Sequence, residues 1–278
     1  MPARTWLVTG SSTGLGRALV TELLARGERV AATARDPRTL ADLSDGGRPP
    51  WTAQLDVTDH TQVREVVDRA VAELGRIDVV VSNAGYGLFG AAEEITDEQL
   101  DRQLRTNLVG PMQLARAVLP HLRAQGSGHF IQISSVGGQC TLPGMAVYHA
   151  SKWGVEGFFE SMAAEVHGFG IGVTIVEPGT VATNFAGSSR DSAPAMPVYT
   201  RTPAGRIRRA VDAGVLPSPG DAAKMASAIA DCADQRPVPL RLALGSDSYQ
   251  LIRTSLQNRL DALDQQKDVA FATDTTAS

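Results

Sequence analysis

Thr5-Trp6-Leu7-Val8-Thr9-Gly10-Ser11-Ser12-Thr13-Gly14-Leu15-Gly16 is a short apolar strand that runs straight into a glycine-rich turn, with a helical pattern over Arg17–Arg26 behind it. Gly10 permits the tight turn, Gly14 lets the backbone approach a pyrophosphate with no Cβ in the way, and Gly16 lets the helix lie close on the sheet. The start of the helix, around Ser12, Gly14 and Leu15, then presents N–H groups and the positive end of its dipole to an anion. The spacing is Gly-x3-Gly-x-Gly. It differs from the Gly-x-Gly-x-x-Gly of the common dinucleotide fingerprint, and no lysine follows as it would in a triphosphate-binding loop. Glycines after a strand also serve as plain turn residues, so the stretch defines a phosphate cradle only if the rest of the chain agrees.

The rest of the chain repeats the strand-then-helix rhythm. Strands are predicted over Thr5–Val8, Arg29–Ala34, Trp51–Leu55, Val79–Ser82, His129–Ser134, Gly172–Val176 and Leu240–Leu244. They are short and apolar on both faces, as buried parallel strands are. Between them, Val63, Val66, Val67, Ala70, Val71 and Leu74 form one helical stripe within Gln62–Leu74, and Asp59 is placed to cap it. A longer helix is predicted from about Thr96 to Arg123 with a kink at Pro111, and another over Tyr148–His167. The expected fold class is α/β, a doubly wound parallel sheet in three layers forming a single domain over residues 1–269. Residues 184–220, rich in Pro, Ser, Ala and Gly with little strand character, interrupt the rhythm, and the small polar tail 270–278 is expected to be disordered.

At 278 residues, 43% hydrophobic and 20% charged, the chain has the composition of a soluble globular protein with ample apolar surface for a core. A net charge of -4 argues against nucleic acid and membrane as partners, since both ask for a basic face. Arg206-Ile207-Arg208-Arg209 is too short a basic cluster to alter that. Cys140 and Cys232 lie far apart and in no metal-ligand spacing, so neither a disulfide framework nor a metal site is expected, and a cytoplasmic location fits. Trp6-Leu7-Val8 is too short for a signal peptide or a membrane helix, and the fold is expected to begin close to Met1.

The second strand ends Ala31-Ala32-Thr33-Ala34-Arg35-Asp36. A carboxylate at that tip would bind both hydroxyls of an adenosine ribose and repel a 2′-phosphate. Here the tip is Ala34 with Arg35 beside it, whose planar fork grips phosphate. NADP(H) is therefore the expected cofactor. Asp36, two residues along, is the group that would serve NAD instead; it is read as the cap of a short helix begun by Pro37.

Tyr148-His149-Ala150-Ser151-Lys152 sets a phenol and an ammonium four residues apart on one helix face. A phenol with a pKa of about 10 exchanges protons poorly at neutral pH, and a neighbouring cation favours the phenolate. The bare pair is common on solvated helices. Ser135 stands just past the carboxyl end of a strand, where a hydroxyl can hold and polarise a carbonyl oxygen; Ser134, the last strand residue, is read as structural.

Thr9–Gly16, Asn83-Ala84-Gly85, Asn107, Ser135, Tyr148-x3-Lys152 and Pro178-Gly179 occur in the order seen in the short-chain dehydrogenase/reductase family. Over about Thr5 to Thr183 the chain resembles the short, single-domain, NADP-preferring branch of that family. The resemblance implies a Rossmann-like fold and an oxidoreductase that interconverts a ketone or aldehyde and an alcohol by hydride transfer. It implies that Tyr148 is the general acid/base and that Lys152 lowers its pKa and holds the nicotinamide ribose. Ser135 would orient the carbonyl, and Asn107 would hold a water linking Lys152 to solvent. On the cofactor side it implies contacts from Gly10, Ser12, Gly14, Leu15, Gly16 and Arg35, and from Asp56 and Val57 at the adenine. Asn83, Ala84 and Gly85 would pack beside the cofactor, with Asn83 equally readable as a plain turn residue. Pro178, Gly179, Val181 and Thr183 would close on the carboxamide. One departure stands out: many NADP-preferring members carry Arg or Lys where this chain has Thr13, so coenzyme choice rests on Arg35, helped by Ser11 or Ser12.

The same resemblance makes 184–220 a substrate lid, with Phe185, Met196, Val198 and Tyr199 as an apolar wall. The expected partner is a small, largely apolar carbonyl compound or alcohol. A homodimer or homotetramer is implied through the helices at Thr96–Arg123 and Tyr148–His167, with Leu251–Leu263 able to cover a tetramer surface. Two alternatives remain. A nucleotide-sugar epimerase or dehydratase shares Tyr-x3-Lys but carries Gly-x2-Gly-x2-Gly and a second domain. A catalytically silent NADP-sensing regulator would lack part of the set Asn107, Ser135, Tyr148 and Lys152. His149, His167, Trp153 and both cysteines are read as core or surface, with His149 facing away from Tyr148.

Overall fold

The computed structural model describes residues 3–43, 49–181 and 190–275; Thr183 and Phe185 lie outside them. Seven strands form one parallel sheet: β1 (Thr5–Val8), β2 (Arg29–Ala34), β3 (Trp51–Gln54), β4 (Val79–Ser82), β6 (Gly128–Ile133), β7 (Ile171–Pro178) and β9 (Arg241–Leu244), in the order β3, β2, β1, β4, β6, β7, β9. Chain order reverses between β1 and β4, which is where open α/β sheets leave a crevice at the carboxyl ends of their strands. The register is set by hydrophobic side chains that bury both faces: Leu7 lies opposite Ala31 on one side and Val80 on the other.

Alternate residues of each strand feed two separate cores. Trp6, Val8, Ile131 and Ile133 pack under α1 (Gly14–Ala25) and α7 (Ala222–Cys232). Leu7, Val80 and Phe130 pack under α2 (His60–Leu74), α4 (Gly110–Gln125) and α5 (Ala146–Val166), where the Phe130 and Phe159 rings stack at 5.1 Å. The expected three-layer, doubly wound, Rossmann-like fold is what the chain adopts. Asp59 caps α2 by accepting the N–H groups of Thr61 and Gln62 at 3.0 and 3.1 Å, a contact worth about 1 kcal/mol.

Three details differ from the sequence reading. The helix predicted from Thr96 to Arg123 is α3 (Asp97–Leu104), a widened π turn over Arg105–Val109, and then α4. Its irregularity begins before Pro111, because the residue four past Asn107 has no N–H to continue the ladder. The segment 184–220 is more structured than its composition implied. It contains β8 (Arg190–Ser192), a 3₁₀ turn at Pro197–Tyr199 and α6 (Pro203–Asp212), and β8 pairs with β5 (Gly87–Phe89) in a small second sheet. The carboxyl end forms α8 (Ser246–Asp264) and α9 (Lys267–Ala272), so helix continues into the tail expected to be disordered from Ala270.

Candidate active site

The carboxyl ends of β1, β4, β6 and β7 converge on one crevice. At β1 the turn is braced from β4: Asn83 Nδ2 donates to the carbonyls of Thr9 and Gly10, both at 3.0 Å, and Thr9 Oγ1 accepts the N–H groups of Asn83 and Ala84. Gly10 sits at φ +67°, and a Cβ there would lie 2.8 Å from Ala84 Cα. A methyl on Gly16 would collide with the Asn83 amide and the Gly10 carbonyl. Asn83 therefore locks the turn from β4. Ser11 is also spent on the turn, donating through Oγ to the Val8 carbonyl at 2.9 Å, so of the two hydroxyls considered only Ser12 remains for a ligand. Thr13 makes no side-chain cap on α1, leaving the first N–H groups of the helix to an anion.

At the tip of β2, Asp36 is a helix cap, as its place before Pro37 implies: it caps the 3₁₀ turn Pro37–Leu40 by accepting Arg38 N–H at 3.0 Å. The Arg38 guanidinium then reaches both oxygens of Asp36, and this pairing holds the carboxyl below its usual range. Arg35 is exposed and has no ion pair among the described residues. Asp56 uses Oδ1 to accept Thr58 N–H and Thr58 Oγ1 at 2.9 and 2.7 Å, and Val57 packs near Gly110. An uncapped helix start and a turn with no room for Cβ fit the diphosphate of a dinucleotide.

The catalytic candidates sit beside that cradle. Ser135 stands two residues past β6 and caps the turn Val136–Gly138 by accepting Gly137 N–H at 3.0 Å. Its hydroxyl also hydrogen-bonds Tyr148, which is 6% exposed. Lys152, one turn along α5 and equally buried, donates to the Ile133 carbonyl at 3.1 Å with Nζ 5.8 Å from the Tyr148 ring centre. Burial pushes the Tyr148 phenol up to about 12, against the lowering effect of Ser135. Burial also pushes the Lys152 ammonium down to about 8, against the raising charge of Glu156. Desolvation sets the direction of the phenol, and Ser135 is the group that opposes it.

Asn107 lies in the π turn, and its amide pairs with the backbone of Tyr86. Nδ2 donates to the Tyr86 carbonyl at 2.8 Å and Oδ1 accepts Tyr86 N–H at 3.1 Å. The side chain therefore anchors the segment after Asn83-Ala84-Gly85. His149 does not face away as expected: it is buried, edge-on to Tyr148 with ring centres 5.7 Å apart. Its Nε2 accepts Leu142 N–H and its Nδ1 donates to the Gly137 carbonyl, each at 2.9 Å, so it ties down the loop after Ser135.

Pro178 and Gly179 leave β7 under a brace from α8. Asp247 Oδ2 accepts Thr180 N–H at 2.7 Å, and a Cβ on Gly179 would strike that carboxylate. Val181 follows in a bridge to Gly220. The apolar surroundings of Tyr148 come from residues the sequence did not single out, namely Phe89, Met145, Val211 and Ile207. Of the wall residues expected from the lid, Val198 is 69% exposed and Tyr199 turns its hydroxyl to Glu93 at 2.7 Å. Met196 gives its N–H to Glu94, at 2.8 Å. The buried Glu94 also pairs with Arg208 of α6 at 2.5 Å, which fastens the helix carrying Ile207 and Val211 over the site. Among the described residues no cluster of His, Cys, Asp or Glu could hold a metal, and no helix is long and apolar enough to cross a membrane.

Residues 4–194 match the short chain dehydrogenase family, and the chain belongs to it. It is an oxidoreductase of that family, whose members use nicotinamide cofactors. It is 39% identical over 251 residues to oxidoreductase BOA17 of Botryotinia fuckeliana, covering 88% of this chain and 90% of that one. It is 36% identical over 274 residues to oxidoreductase calM of Penicillium decumbens, covering 94% and 90%. A solved short-chain dehydrogenase from Streptomyces avermitilis superposes with a TM-score of 0.91 at 38% identity over 99% of this chain and 100% of that one.

Proposed function

We propose that this chain is an NADP(H)-dependent oxidoreductase that interconverts a ketone or aldehyde with an alcohol, with Tyr148 as general acid in reduction and general base in oxidation. The observation that carries the reading is the Ser135–Tyr148 hydrogen bond at the mouth of the sheet, with buried Lys152 one turn behind it. A substrate oxygen seated between the two hydroxyls would accept from both, which polarises its carbonyl. When bound, the nicotinamide supplies or accepts the hydride and, oxidised, adds a positive charge beside the phenol. Tyr148 then gives its proton to the developing alkoxide or takes it from the alcohol. Lys152 holds ribose hydroxyls and lends its charge to the phenolate. The Asn107 carbonyl, whose helical partner would have been Pro111, is the group that supports a water beside Lys152.

Gly10, Ser12, Gly14, Leu15 and Gly16 would cradle the diphosphate, and Arg35 the 2′-phosphate. Asp56 and Val57 would meet the adenine, Ala84 and Gly85 would line the cofactor beside Asn83, and Pro178, Gly179 and Val181 would border the carboxamide. The wall of Phe89, Met145, Ile207 and Val211 favours an apolar substrate, closed in by the segment around α6. A cytoplasmic homodimer or homotetramer is part of the same reading. The test is NADPH consumption with a panel of medium-sized apolar ketones and aldehydes. The reading expects carbonyl-dependent oxidation of NADPH; it fails if no member of the panel is reduced by protein shown to bind the coenzyme.

A further inference from the structure

Beneath the catalytic residues the structure buries a second set of charges. Glu156 on α5 and Glu177 near the end of β7 are 4% and 3% exposed. Gln139 Nε2 donates to both, at 3.1 and 3.0 Å, and Arg241 Nε of β9 lies 3.3 Å from the same two oxygens. Arg241 also reaches Glu160 at 2.7 Å. From α8, Arg259 donates to Gln139 Oε1 at 3.3 Å and Ser255 to its carbonyl at 2.7 Å. Burying paired carboxylates is costly unless their partners are well placed. Three of the segments tied here carry a residue of the site. Gln139 follows the turn opened by Ser135, Glu156 is one helical turn past Lys152, and Glu177 immediately precedes Pro178-Gly179.

We propose that Glu156 is a positioning residue for Lys152: Gln139 and Arg241 fix its carboxylate, which supplies the negative charge that keeps the buried lysine an ammonium. The inference rests on the role given to Lys152 above. Lys152 loses its hydration on burial, and a carboxylate at i+4 shares its helix face. Among the groups around the lysine, Glu156 is the charge that opposes desolvation. On its own helix Glu156 also neighbours Glu160; from β7 it meets Glu177, from β9 Arg241, from the Ser135 turn Gln139, and through Gln139 it feels Arg259. Burial and then the Glu156 charge raise the Glu177 carboxyl to about 7, with Gln139 and Arg241 opposing.

The chain has three lysines, and Lys224 and Lys267 are exposed, so NMR of full-length protein labelled with 13Cε-lysine isolates the titration of Lys152. Loss of one signal in Lys152→Met assigns it. Glu156→Gln is expected to move the Lys152 midpoint to lower pH by about one unit. Glu156→Asp should restore part of that, and Glu177→Gln should move it by roughly a third as much or less, because Glu177 acts on the lysine only through Glu156. Gln139→Met, which keeps volume and removes the shared donor, should move it in the same direction as Glu156→Gln by a smaller amount, and it stands in if Glu156→Gln does not fold. An unmoved midpoint in Glu156→Gln, or in Gln139→Met as its stand-in, overturns the proposal. An equal shift in Glu177→Gln does so too, since it would mark general loosening. The titration needs no substrate, so its failure is separable from any failure of Tyr148 as acid/base.

Discussion

Replacing Arg35 with alanine should separate the two nicotinamide coenzymes. Arg35 follows directly on Ala34, which pairs with Gln54 at the carboxyl end of β2, so its side chain leaves the sheet beside the crevice. The nearby negative charge is already covered, because Asp36 accepts from the Arg38 guanidinium at 2.9 and 2.8 Å. A charge-assisted hydrogen bond is worth about 1.5–3 kcal/mol. Solvent exposure places Arg35 at the low end, and about 1.4 kcal/mol is tenfold in affinity. Calorimetric titration should therefore show NADPH bound about tenfold more weakly by Arg35→Ala, with NADH unchanged. The loss should shrink as salt is raised. Arg38→Ala, which uncovers Asp36, should weaken NADPH while sparing NADH. Equal loss for NADPH and NADH in Arg35→Ala, or no loss for either, would refute the reasoning and return attention to Asp36.

Two further outcomes follow from packing and burial. Gly16→Ala drives a methyl into the Asn83 amide and the Gly10 carbonyl; overpacking of this kind costs about 1–3 kcal/mol, or roughly 2–4 °C of melting temperature per kcal/mol. The stabilisation by added NADPH in a thermal melt should shrink as well, and an unchanged melt with and without coenzyme would contradict the locked cradle. His129 is buried, and its Nε2–H donates to Thr174 Oγ1 at 2.8 Å while that hydroxyl donates to the Pro239 carbonyl at 2.6 Å. Desolvation, with Arg236 and Arg4 adding to it, lowers its pKa from 6.5 to about 4. A histidine whose folded pKa is depressed leaves the unfolded chain holding more protons between those values, so stability falls as pH drops from 6.5 to 4. The loss is about 2 kcal/mol at pH 5 and about 3 kcal/mol at pH 4. Urea denaturation should show that slope flattened in His129→Leu, and an identical slope in the variant would assign it elsewhere.

The sheet was legible in the sequence because its strands are apolar on both faces, a pattern that survives without tertiary information. Thr5–Val8, Arg29–Ala34 and Val79–Ser82 are strands at the predicted bounds. Local capping chemistry was legible for the same reason, as at Asp36 and Asp59. The lid helix was not: α6 is mostly polar, and its apolar contribution is the partly buried Ile207 and the buried Val211, four residues apart. That spacing was the one signal available for it. Phe89 lies in β5 and Met145 just before α5, and they meet where Gly90 bridges to Met145, far apart in sequence. The set Gln139, Glu156, Glu177 and Arg241 is spread over a hundred residues and four elements, so no local pattern could gather it. His149 was misplaced because helical spacing alone put it away from Tyr148, whereas the turn Val136–Gly138 folds back to meet it.

The most direct test of the account is turnover by Tyr148→Phe, measured as carbonyl-dependent NADPH oxidation alongside calorimetric NADPH binding. The substitution removes one buried hydroxyl and its bond to Ser135 while keeping the ring within Phe89, Met145 and Val211. The account predicts coenzyme binding close to wild type and turnover lower by about 100-fold or more, the scale of a lost general acid. Turnover near wild type in the variant, with coenzyme bound, would contradict it.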